Sequence, residues 1–77
     1  MGKLDDLNNM IEALTMTIVI HEREEAFFRR STATSTSQEA KTLFLDIAEE
    51  MGSHLVSLRT KRQKLTNKLV NLQQMEN

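Results

Sequence analysis

The sequence predicts an all-α protein: an antiparallel helical hairpin that homodimerises into a four-helix bundle. Three observations carry this. Apolar residues recur at alternating spacings of three and four along most of the chain. One hydroxyl-rich stretch, Ser31-Thr-Ala-Thr-Ser-Thr-Ser37, interrupts them. And 77 residues are too few for two helices to shield both of their own apolar stripes, so the hairpin needs a staple or a partner. Cysteine is absent, which removes disulfides and thiolate metal sites. That leaves self-association, a metal held by carboxylates and imidazoles, or both.

The first helix is expected from Lys3 to about Ser31. Leu4, Leu7, Ile11, Leu14 and Ile18 mark its seam, and His21, Glu25 and Phe28 continue the register. A sustained period of 3.5 residues belongs to a packed helix, not a strand. Asp5 and Asp6 suit the positive end of the helix dipole, and Arg29 and Arg30 the negative end. The turn is expected at about residues 32–36, because short hydroxyl side chains compete for backbone hydrogen bonds. Thr36 followed by Glu39 reads as a capping box. A connection this short makes the two helices antiparallel neighbours.

The second helix is expected over about residues 37–75. Its seam is read as Phe44, Ile47, Met51, His54, Leu58, Leu65 and Leu72, with Ala48, Leu55 and Leu69 beside it. Lys61 and Lys68 fall on the same seam, so that end should be less well buried. The longer helix should overhang the first by roughly 10–15 Å at 1.5 Å per residue. The chain lacks proline and carries glycine only at Gly2 and Gly52, which suits long helices. Gly52 costs its helix about 1 kcal/mol relative to alanine, and either marks a close helix approach or is neutral. Met10 and Met51 read as adaptable core filler.

Net charge is -1 with both signs interspersed, which argues against general binding to nucleic acid or an anionic membrane. The basic run Lys61, Arg62 and Lys64 reads as a solvated helix face. Apolar stretches fall far short of the ~20 residues that span a bilayer. The acidic start, without a signal-peptide layout, sets the expected location as cytoplasmic.

Both seams turn polar at about the same height. The first helix offers His21, Glu22 and Glu25; the second offers Glu49, Glu50 and His54. His21 and Glu25 are four apart, as are Glu50 and His54, so each pair shares a helix face. Carboxylates and imidazoles on facing helices build metal sites in bundles. The competing reading is that polar seam residues set register and partner number, with the glutamates otherwise solvated.

The segment Glu22-Arg-Glu-Glu-Ala-Phe-Phe28, then Glu39-Ala-Lys-Thr-Leu-Phe-Leu-Asp-Ile-Ala-Glu-Glu-Met-Gly-Ser-His-Leu55, resembles one half of a rubrerythrin, in the ferritin-like superfamily. The likeness covers roughly the central half of the chain. It implies a four-helix bundle in which each helix pair gives one glutamate and one Glu-x-x-His to a di-iron centre. Such centres react with peroxide or oxygen. With only one helix pair per chain, a homodimer would restore the bundle. By position, Glu22 matches the first glutamate and His54 the histidine. Met51 stands where the glutamate of Glu-x-x-His belongs, and Arg29 where the family has tyrosine. Either the site is remodelled through His21, Glu25 or Glu50, with iron or another divalent metal as cofactor, or the scaffold remains without one. Two functions follow: a ferritin-like metal-binding dimer with at most weak redox activity, or a non-catalytic dimerising hairpin that presents its second helix to a protein partner. Whether the chain is an enzyme stays open at this point.

Overall fold

The computed structural model describes residues 2–76 and consists of two antiparallel helices, α1 (Lys3–Thr34) and α2 (Gln38–Glu76). They form a rod of 59 × 16 × 13 Å. Among the described residues there is no strand, and no helix is long and apolar enough to cross a membrane. The helical hairpin expected from the heptads is therefore the observed fold.

Helix α1 continues past Ser31, where the hydroxyl-rich stretch was expected to end it. The hydroxyls do not compete with the helix. Ser31 Oγ donates to the Phe27 carbonyl (2.9 Å), Thr32 Oγ1 to that of Phe28 (2.9 Å) and Thr34 Oγ1 to that of Arg30 (3.0 Å). Each bond runs back four residues and satisfies the hydroxyl inside the helical geometry. Arg29 and Arg30 consequently lie before the last turn, which carries no basic residue. The connection is Ser35-Thr36-Ser37, and no residue there has a positive φ. Helix α2 is capped by Ser37, whose Oγ accepts the Ala40 amide at 3.0 Å. The cap lies one residue beyond the Thr36 and Glu39 expectation, and Ala40 at the third helical position has no side chain to reciprocate.

On α1 the expected seam faces α2. Leu7 and Ile18 are buried, and Leu4, Ile11, Leu14, His21, Glu25 and Phe28 are half-buried. On α2 one column of the seam differs. Ala48 and Leu55, expected beside it, are its most buried members at 0% and 1% exposed. His54, Lys61 and Lys68, expected within it, are exposed. Phe44, Met51, Leu58, Leu65 and Leu72 keep the inward positions expected of them and alternate with Ala48, Leu55, Arg62 and Leu69. Both columns repeat every seven residues. Turning α2 toward Ala48, Leu55 and Leu69 spares the burial of one imidazole and two ammonium groups. The core is Ile18, Leu55 and Leu58, with Leu14 packed against it.

The overhang is shorter than expected. Lys3, Asp6 and Leu7 line one groove with Lys68, Asn71 and Leu72. Only about the last turn of α2 extends beyond α1, roughly 6 Å. The rest of the extra length of α2 lies at the turn end.

Candidate functional site

The two flanks of the helix–helix seam differ in chemistry. On one flank, Glu22 and Arg59 bridge the helices at 2.7 Å, and Arg62 Nη1 donates to Thr15 Oγ1 at 3.3 Å. Glu25 pairs with Arg29 one turn on, at 3.2 Å. Glu25 fills the space beside Gly52, where an added Cβ would stand 2.8 Å from its carboxylate. Gly52 therefore marks a close approach, between its backbone and this carboxylate.

The other flank carries the histidines. The His21 and His54 rings lie 4.9 Å apart between centroids, tilted by 35°. The Nδ1 atom of His21 lies 3.0 Å from the Thr17 carbonyl oxygen. A carbonyl only accepts, so in this bond Nδ1 carries the proton, and the neutral ring keeps its lone pair on Nε2. Glu24 approaches the same ring, at 3.9 Å. Around the histidines, Ile20, Phe27 and Leu43 are 53%, 54% and 56% exposed. We call this flank the histidine face.

The five candidate ligands therefore do not come together within one hairpin. His21 and His54 meet. Glu22 and Glu25 are turned to the other flank and engaged by arginines. Glu50 lies at the rim of the histidine face, in a shallow acidic depression with Asp46, Glu49 and Ser53. Glu22 and His54, the two residues matched by the rubrerythrin resemblance, point to opposite flanks. Among the described residues no three histidine, aspartate or glutamate side chains form a metal-holding group.

Sequence reasoning missed Thr17, which orients His21, and Arg59, which engages Glu22. It also passed over a second, partly apolar stripe on α1: Met10, Ala13, Ile20 and Phe27, with Thr17 and Glu24 between them, repeat at three and four beside the first seam. That spacing was the available signal. No family model, curated protein or solved structure matches this chain, so its function is argued from its own residues.

Proposed function

We propose that this chain is a self-associating helical hairpin, a non-catalytic module that pairs with a second copy to form a four-helix bundle. The observation that carries the reading is the exposure of Ile20, Phe27 and Leu43 on the histidine face, next to half-buried Ile47 and Phe28. Apolar side chains grouped on one face of so small a domain favour burial against a partner. The outward positions of α2, among them Asp46, Ser53, Thr60 and Asn67, are polar and exposed. The exposed apolar residues of α2 away from the histidine face, Leu45, Val56 and Val70, stand singly among polar neighbours. Light scattering should return twice the chain mass at micromolar concentration. Ile20→Lys and Phe27→Lys should each release monomers, while Val56→Lys, on the arginine-bridged flank, should not. A folded wild-type monomer at those concentrations would overturn the proposal.

A second reading has its own observation. A metal-bound imidazole ordinarily donates its other ring N–H to a carbonyl or carboxylate, and His21 is held that way by Thr17. The His21 and His54 rings would then give a divalent transition metal two nitrogen ligands, and a ferritin-like ancestry would be expressed through them. Zinc, manganese or ferrous iron should raise the melting temperature by linkage, and His21→Ala or His54→Ala should abolish the response. Unchanged melting with all three metals would exclude this reading and leave the hairpin proposal standing.

A further inference from the structure

We infer that the second copy packs histidine face to histidine face and head to tail, about a two-fold axis that crosses α1 between Ile18 and Val19 and α2 at Ser57. This rests on the self-association proposed above and adds its geometry. In α1, Met10 and Phe27 stand equally far on either side of the crossing point, as do Thr17 and Ile20. Reversal about that point lays the partner's Phe27 over Met10, at the edge of the shallow groove that Met10 shares with Leu7 and Leu72. It also brings Ile20 over the partner's Thr17 near the axis. In α2, Glu50 lies seven residues to the turn side of Ser57 and Lys64 seven to the other side. Each Glu50 then faces the partner's Lys64, twice per dimer.

One axis serves both helices. The contact of His21 with His54 places them at one height. His21 lies between two and three residues past the crossing on α1, and His54 lies three residues past it on α2. The charges select the orientation. The terminal half of the face holds Lys3, Lys61, Lys64 and Lys68 with one acid, Asp6, and the turn half holds Glu24, Asp46 and Glu50. Such a face complements itself only when reversed. With both turns at the same end, Glu24 would lie at about the height of the partner's Glu50, and Lys64 between the partner's Met10 and the partner's Ala13. That arrangement sets Glu24 against Glu50 and leaves Lys61 and Lys64 without an acid, with only Lys68 at the height of the partner's Asp6.

The chain has no cysteine, so Thr36→Cys places one spin label per copy at the turn. Electron–electron distance measurement should give about 50 Å between labels, at 1.5 Å of rise per residue. A separation under about 25 Å in a confirmed dimer would overturn the orientation and leave self-association intact. Lys64→Glu should weaken the dimer about tenfold, since two attractive pairs become repulsive. Adding Glu50→Lys to the same chain should restore it. Unchanged affinity on the single reversal would overturn the crosswise pair. A wild-type chain that stays monomeric would instead remove the underlying self-association.

Discussion

At the scale of single residues, α2 shows which side chains hold the hairpin. Leu55 and Leu58 belong to the buried cluster, while Lys61 lies outside it although it shares the seven-residue repeat of one seam column. Leu55→Ala should therefore cost about 2–5 kcal/mol, the range for truncating a buried leucine. Lys61→Ala should change stability by less than about 0.5 kcal/mol. Urea unfolding of the two variants at one protein concentration checks the order; equal losses would refute the register. Gly52 sets a smaller contest. Alanine there gains about 1 kcal/mol of helix propensity. Its Cβ meets the Glu25 carboxylate at 2.8 Å, but that atom ends a flexible side chain and can move. The Glu25–Arg29 pair it would disturb is partly exposed and contributes little. Gly52→Ala should thus stabilise the hairpin by up to about 1 kcal/mol, read as a higher urea midpoint. A marked loss would show that the carboxylate cannot relocate.

At the scale of elements, helix ends were harder to place than helices. Ser37→Ala should cost about 1 kcal/mol by freeing the Ala40 amide, whereas Thr36→Ala should leave the midpoint nearly unchanged. A thermal melt of each separates them, and the reverse order would restore the capping box read from Thr36 and Glu39. Serine and threonine are ambiguous to a reader of sequence: their hydroxyls can cap a helix, break it or bond back four residues within it. Here those of Ser31, Thr32 and Thr34 take the last course. The α1 seam was legible because Leu4, Leu7, Ile11, Leu14 and Ile18 run unbroken, whereas Thr17 and Glu24 interrupt the second stripe beside it. In α2 two columns compete, and the choice depends on which flank the partner helix covers. The candidate site was legible only as two histidines at one height. That Glu22 and His54 diverge follows from the same rotation of α2. The arginines that engage the glutamates stand far away in sequence or on the same helix, and no spacing pointed to Arg59.

At the scale of the whole molecule, the slender rod leaves much apolar surface outside its own core. If the missing burial comes from a second copy, stability depends on concentration. The melting temperature should rise as the chain is diluted less, by mass action on the dimer. Differential scanning calorimetry across a hundredfold concentration range tests this, and a constant melting temperature would contradict it. The connection of three residues has a consequence for the order of folding events. Closing so small a loop costs little chain entropy, so the first interhelical contact to form should be the one beside it, Phe28 against Phe44, whose rings lie 6.1 Å apart. Later contacts then zip toward the open end at Leu7 and Leu72. Phe44→Ala should chiefly slow refolding, whereas Leu7→Ala should chiefly speed unfolding. Stopped-flow kinetics at one fixed chain concentration would reveal the opposite pattern if assembly began at the termini. Time along the folding path would then be written into the rod as distance from its turn.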